Sequence, residues 1–258
     1  MMQIITLGAS GGLEPQQGTT AFHLPPHTLI DAGTGTQRLS ISDLTSLHSV
    51  LLTHAHLDHI ATLPLLIDMQ FEALADQERA LSVFALPEVL ETLKRHIFNE
   101  HIWPDFTRLP SSVAPVLNFV PITLWQTFTL PGEANIALQV TPFPLSHGVP
   151  TCGYCICDGS HQMAICGDTG LSESTIESLN RLGPLDRLAI ECAYSNDFDA
   201  LAEVGHHLTP SRLASLLESL DTPPKELWIT HLKPKQRERI ASELRQHLPS
   251  NLNWALPS

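Results

Sequence analysis

Basic residues are scarce in this chain. Its 258 residues include 14 Lys and Arg against 27 Asp and Glu, a formal net charge of -13. A protein that grips a long polyanion such as DNA or tRNA normally offers a basic face. No Lys/Arg cluster occurs here beyond the short stretch from Lys233 to Arg239. The balance therefore argues against a long nucleic acid as partner and for a small molecule. Bound divalent metals would cancel several carboxylate charges locally, so a small anion stays open. No apolar run is long enough to span a bilayer, and no membrane partner is expected. The opening residues, Met1 to Gly8, lack a basic n-region and a long h-region; they read as a first strand. The cytoplasm is the expected location. Repeats, low-complexity tracts and long linkers are missing too. With 43% apolar and 16% charged residues the composition is globular. The length is ample for a buried core, and a single domain over 1–258 is expected.

Cysteine is also sparse, and its count is odd: Cys152, Cys155, Cys157, Cys166 and Cys192. An odd number without a secretory signal points to free thiols. The cluster from Cys152 to Cys157 invites a metal reading, but no second Cys pair completes a tetrahedral site. Tyr154 and Ile156 lie between these residues, and the run fits a buried strand better.

The informative regularity is positional. Polar residues recur directly after short apolar runs that read as buried strands. His27 to Ile30 leads to Asp31, and Ser49 to Thr53 leads to His54. Val140 to Leu145 leads to His147, and Met163 to Cys166 leads to Asp168. Leu188 to Ile190 leads to Glu191, and Leu227 to Thr230 leads to His231. Side chains at strand ends converge on one sheet edge, where α/β enzymes keep their sites.

Helical spacing appears in between. It covers Leu63 to Ala75, Pro87 to Ile97, Ser172 to Leu182 with Ser172 as N-cap, the segment opened by Thr209 and Pro210, and Lys235 to His247. The stretch 66–135 is long for a connection between strands. It reads as a helical elaboration that packs beside the site.

One run carries the chemistry: His54-Ala55-His56-Leu57-Asp58-His59. Three imidazoles and a carboxylate in six residues are costly to desolvate without a partner. The run is embedded between Val50-Leu51-Leu52 and Ile60 to Leu63, with Leu57 and Ile60 as expected anchors, so a solvated loop is a poor reading. Imidazole and carboxylate are ligands for zinc, and they also accept manganese or iron.

With these residues the chain resembles the metallo-β-lactamase superfamily. Asp31, the run from His54 to His59, His147, Asp168 and His231 match its motifs in order. The resemblance implies an α/β fold, a four-layer αβ/βα sandwich with two divalent metal ions at one edge of the sheets. It assigns His54, His56 and His147 to one ion, and Asp58, His59 and His231 to the other, with Asp168 bridging. Zinc is the first choice of metal. Asp31 is expected to support the site rather than to ligate.

Within that superfamily the match is nearer to the class II cyclic nucleotide phosphodiesterases. It rests on Thr53 to Ala61, Gly167 to Gly170, Ile190 to Cys192, His207 to Pro210 and Ile229 to Pro234. Ile97 to Phe106 also looks like that family's insertion. Ala61-Thr62 departs from the pattern, where a Gly is expected. The resemblance implies that a hydroxide held between the metals opens a 3′,5′-cyclic nucleotide (cyclic AMP, with cyclic GMP as a second candidate) to the 5′-nucleotide.

The catalytic candidates are Asp58, Glu191 and His207. The leaving alkoxide needs a proton, and Glu191 is placed to orient His207, a pair similar to one in the tRNA 3′-processing nucleases. His206, Lys233 and Trp103 are weaker candidates for substrate contact, as are Phe106 and Tyr194. A tRNA 3′-processing endonuclease and a lactone or ester hydrolase on the same cage are the competing readings. A homodimer is the commonest assembly for such enzymes.

Overall fold

A computed structural model describes residues 3–133 and 136–257. Among them the strands form two seven-stranded sheets. The first holds β1 (Ile5–Ser10), β2 (Gly18–Thr19), β3 (Ala21–Leu24), β4 (Thr28–Ile30), β5 (Ser49–Leu51), β6 (Leu81–Ala85) and β7 (Leu117–Pro121). Its order is β2-β1-β3-β4-β5-β6-β7. The second holds β8 (Phe128–Pro131), β9 (Ala137–Pro144), β10 (Cys152–Cys157), β11 (Gln162–Ile165), β12 (Arg187–Glu191), β13 (Glu226–Thr230) and β14 (Trp254–Ala255), in the reverse spatial order β14 to β8.

Apart from the short parallel pair β1–β2, each sheet is antiparallel where no helix separates neighbouring strands and parallel where helices intervene. In the first sheet β4 to β7 pair in parallel, and in the second β11 to β14 do. Parallel neighbours need a crossover, and helices supply most of these. The helices are α1 (Ile41–Ser46), α2 (Leu57–Ile60), α3 (Leu63–Asp76), α4 (Pro87–His96), α5 (Glu173–Leu182), α6 (Asp199–Val204), α7 (Pro210–Glu218) and α8 (Arg237–His247). Their starts follow local chemistry. Ser172 accepts a hydrogen bond from the Thr175 N–H, and Thr209 accepts one from Arg212, as N-caps do. Pro87 and Pro210 occupy first-turn positions, where a missing N–H costs no bond.

The layering follows from strand alternation. Tyr154, Ile156, Met163, Ile165 and Ala189 pack in one cluster with the first sheet's Leu29, Val50 and Leu51. Their neighbours Cys155, Ala164, Leu188 and Ile190 face the other way, against Leu179, Leu213, Leu216, Ile240 and Leu244 of α5, α7 and α8. On the far side of the first sheet α3 and α4 contribute Leu63, Ile67, Leu90 and Leu93. Each fully buried Leu of this kind is worth about 1.5–3 kcal/mol of transfer free energy. The result is the expected αβ/βα sandwich. Tyr154 ties the sheets together: its buried hydroxyl donates to the Leu52 carbonyl at 2.8 Å. The five thiols are free, and four of them are buried.

The reading of 66–135 needs correction. The stretch does hold most of α3 and all of α4, but β6 and β7 extend the first sheet and β8 closes one edge of the second. It is therefore largely part of the sandwich and not an elaboration beside it. Residues 134 and 135 of that range lie outside the described residues.

Candidate metal centre

The ligand run begins where β5 ends. Asp31, one residue past β4, holds it in place. Asp31 adopts a left-handed backbone, φ 55°. Its carboxylate accepts from the Thr53 N–H at 2.8 Å, the Thr53 hydroxyl at 2.8 Å and His59 Nδ1 at 2.7 Å. Gly33 lets the two loops close up, because a Cβ there would sit 2.3 Å from the Asp58 carbonyl oxygen. Thr62, at the position where a Gly was expected, donates to the carbonyls of Ala32 and Gly33 and fastens the same loop to the start of α3. Ile60 is buried as an anchor. Leu57 is not; its residue is 68% exposed, because the loop turns it outward beside Asp58.

The second sheet supplies the other half. His147 follows β9, Asp168 follows β11 and His231 follows β13. The Asp168 and His147 loops are joined by the Gly170 N–H and the Thr169 hydroxyl, both donating to the Ser146 carbonyl. His231 takes a left-handed backbone, φ 60°, and its N–H donates to Ala9 of the first sheet.

Asp168 is the hub. Its carboxylate lies 3.3 Å from His59 Nε2 and from His231 Nε2, 3.8 Å from His54 Nε2 and 4.0 Å from His147 Nε2. Ligand atoms of His54, His56, His147 and Asp168 all fall within 4.8 Å of one another. Those of Asp58, His59 and His231 form a second such group, and Asp168, His207 and His231 a third. The first two groups are compatible with the division that the resemblance implies; Asp168 falls in the first and lies 3.3 Å from His59 and His231 of the second, with His207 at the margin.

The ring nitrogens turned away from the hub are engaged. His59 Nδ1 donates to Asp31 and His147 Nδ1 to the His206 carbonyl at 3.1 Å. Thr53 gives its proton to Asp31, so it accepts from His54 Nδ1 at 3.0 Å. His231 Nδ1 lies 3.4 Å from the Thr20 hydroxyl. These contacts leave Nε2 as the inward atom, in the way protein partners fix ligand tautomers. The inward atoms of His54 and His59 are buried and have no hydrogen-bond partner. His147 Nε2 and His56 Nδ1 meet at 3.3 Å. Buried polar atoms are seldom left orphaned, and a donor set of imidazoles and carboxylates around such orphans fits two divalent cations.

The electrostatics divide the imidazoles: burial would lower His59, but Asp168 and Asp31 outweigh it and raise that ring well above its ordinary value, while others are lowered. Burial pushes His147 down to about 4. Burial also pushes His231 down to about 4, against the raising effect of Asp168. His54 is lowered well below its ordinary value, again by burial first. These imidazoles are therefore neutral at pH 7, the form that ligates. Burial opposes ionisation of Asp168, but His231 and His59 outweigh it and hold the carboxyl well below the usual range.

Beside the hub stands a second pair. Glu191, 1% exposed, accepts from His207 Nδ1 at 2.7 Å and from the N–H groups of Thr169, Ala193 and Leu208. Its oxygens are fully committed, so it positions His207 and does not itself face the site. Burial would lower His207, but the Glu191 carboxylate outweighs it and the imidazole is raised. Burial raises Glu191 despite that same partner.

The weaker candidates separate. Lys233 donates from Nζ to the Gly11 carbonyl at 2.8 Å and lies 5.7 Å from the centre of the Tyr194 ring, which in turn stands edge-on to His207. His206 meets the cluster with its carbonyl. Trp103 packs against the core of the first sheet, and Phe106 is buried between Phe71 and Phe98. Their aromatic bulk is used for packing, not for the cluster. The sequence reading had missed Thr53, Thr20 and Thr169. The hydroxyls of Thr53 and Thr20 reach cage histidines, and the Thr169 N–H and hydroxyl hold Glu191 and the His147 loop. Only adjacency to a ligand, as in Thr53-His54, could have flagged any of them.

Known proteins of related sequence and shape fit this geometry. A probable 3′,5′-cyclic-nucleotide phosphodiesterase of Yersinia pestis is 26% identical over 234 residues, 78% of this chain and 63% of the relative. The chain thus spans under two thirds of that relative's length. Ribonuclease Z of Metallosphaera sedula is 27% identical over 163 residues, 60% of this chain and 48% of the relative. The crystal structure of unliganded yeast PDE1 superposes with a TM-score of 0.77 over 99% of this chain and 98% of that one, at 19% identity. Residues 27–232 match the family described as the beta-lactamase superfamily domain, a span that holds every residue of the cage. With two packed sheets and a His/Asp cluster at their shared edge, the chain belongs to the metallo-β-lactamase superfamily and has the fold of its hydrolases.

Proposed function

We propose that the chain hydrolyses 3′,5′-cyclic nucleotides to 5′-nucleotides, with cyclic AMP as first substrate and cyclic GMP as second. His54, His56 and His147 with Asp168 would hold one divalent ion, and Asp58, His59 and His231 with Asp168 the other. Zinc suits this donor set best, with manganese or iron as alternatives. Two such cations, when bound, acidify water and offset the charge of a phosphate.

The observation that carries phosphodiester cleavage is the Glu191–His207 pair, 2.7 Å apart at the margin of the cage; the acidic net charge then favours a small cyclic diester over RNA. The His207 imidazole is raised, so it can carry a proton near neutral pH. Glu191 keeps Nδ1 occupied, which leaves Nε2 to hand a proton to the leaving 3′ oxygen. An alkoxide is a poor leaving group, and a positioned acid is worth about 10²–10⁴-fold there. Lys233 adds one positive charge on the same side, suited to a single phosphate. The names of the Yersinia pestis relative and of other relatives support a cyclic phosphodiester.

The second reading is a tRNA 3′-processing endonuclease, favoured by the relatives named Ribonuclease Z. The net charge of -13 speaks against it. A lactone or ester hydrolase has less need of the proton donor. The deciding experiment is turnover of cyclic AMP, cyclic GMP, a tRNA precursor and a lactone after reconstitution with zinc or manganese, with products identified. Release of a 5′-nucleotide from a cyclic nucleotide is expected. Cleavage of the tRNA precursor alone would replace this reading with the second.

A further inference from the structure

His206 is a residue whose side chain and main chain point to different roles. It sits next to the proposed acid, and its imidazole is an obvious rival for that task. The residue is exposed, and no contact of its imidazole to the cluster is seen among the described residues. Its backbone behaves otherwise. His206 holds φ 52°, a left-handed conformation that strains a residue with a Cβ. In this conformation its carbonyl accepts from His147 Nδ1 at 3.1 Å.

The peptide is clamped from several sides. The His206 N–H donates to Glu203 and the His207 N–H to Ala202 at the end of α6. The Leu208 N–H is held by Glu191. Gly170 lies against the residue closely enough that a Cβ there would meet His206 Cα at 3.2 Å. Left-handed backbone at non-glycine positions tends to persist where the surroundings over-determine it, and such positions gather at functional sites.

We propose that the carbonyl of His206, not its imidazole, is the working group. It fixes the tautomer and direction of His147, and so sets the affinity of the half-site formed by His54, His56, His147 and Asp168. His206 is a positioning residue through its main chain. The α6–α7 loop then serves two ends at once: residue 206 orients a ligand, and residue 207 presents the acid held by Glu191. This rests on the dinuclear reading of the cluster and is independent of the substrate.

The test uses the full chain and metal binding, not turnover alone. Zinc content and zinc affinity are measured for the wild type, His206→Gly and His206→Val. Glycine adopts positive φ freely, so His206→Gly is expected to keep two ions and wild-type affinity. Valine disfavours it, so His206→Val is expected to keep one tight ion and to hold the second about 10–100-fold more weakly, the usual scale for a lost ligand-orienting partner. Two ions at full affinity in His206→Val would overturn the proposal. So would loss of an ion in His206→Gly, which keeps the carbonyl and adopts its backbone conformation freely. Should the valine variant not fold, nitrogen NMR of His147 in the zinc-free wild type decides. A proton on Nδ1 with Nε2 bare is expected, and the opposite tautomer refutes the assignment. Failure of cyclic nucleotide turnover in a fully loaded wild type would leave these outcomes unchanged.

Discussion

Asp31 and His59 share a buried hydrogen bond of 2.7 Å, although 28 residues separate them in the chain. Both side chains are 1% exposed. Among the described residues the carboxylate bonds to no second cage histidine, yet it decides which nitrogen of His59 faces the hub. Removing it strands the Thr53 N–H and His59 Nδ1. Asp31→Ala is expected to cost about 1–3 kcal/mol for each buried group left unpaired. It is also expected to weaken zinc at the His59 half-site about 10–100-fold. Asp31→Asn should lose less metal affinity, because the amide oxygen can still accept from Nδ1 while its NH2 group opposes the Thr53 N–H. Thermal melts and metal titration measure both effects, and an Asp31→Ala protein with full affinity would refute the role.

Asp168 reaches four imidazoles and, in the proposed cage, serves both half-sites. Asp168→Ala should therefore abolish tight binding of both ions together with turnover. Elemental analysis after dialysis checks the first and an assay the second. Full activity in a metal-free Asp168→Ala protein would sink the dinuclear mechanism.

In the proposed reaction His207 and its partner serve the leaving group. His207→Ala is expected to lower kcat for an alkoxide-leaving substrate such as cyclic AMP by about 10²–10⁴-fold. With a p-nitrophenyl diester the loss should shrink to a few-fold, since nitrophenolate departs unprotonated. Glu191→Gln should follow the same pattern more weakly, because the neutral amide no longer raises His207. An equal loss on both substrates would mean that the pair maintains the fold or the metals.

The buried thiols set an upper pH limit. Burial pushes Cys152 and Cys155 up to about 12, from an ordinary value of 9.0. In the unfolded chain they ionise near 9.0, so above that the unfolded state holds fewer protons. Their contribution to stability is then fully present below about pH 9 and is lost as pH rises towards 12. Urea midpoints should fall across that window. At pH 8 a thiol reagent should label Cys157 first and the other four only on unfolding. Rapid labelling of Cys152 in native protein would contradict its burial.

The cage was legible because its residues follow strands, either singly or as the run from His54 to His59 after β5, and have metal chemistry. His147 and His231 are ordinary residues alone; position after Val140–Leu145 and Leu227–Thr230 gave them meaning. The same signal explains the misreading of 66–135. β6 and β7 end in Ala85 and Pro121, which carry no chemistry, so no marker announced them. Trp103 and Phe106 misled because aromatic type does not tell packing from stacking. The His206 carbonyl was invisible for a simpler reason: every residue has one, and only the turn of the backbone aims it.

The two sheets meet at the cage, and neither owns it. His54, His56, Asp58 and His59 come from the first, while His147, Asp168 and His231 come from the second. Each half-site draws on both. An ion in either position is thus a rivet between the early and late parts of the chain, which on folding alone touch there through bonds such as Cys152 N–H to Thr53 and His231 N–H to Ala9. Metal occupancy is then a report on assembly. A chain that has folded one sheet and not seated the other has only half a grip on each ion.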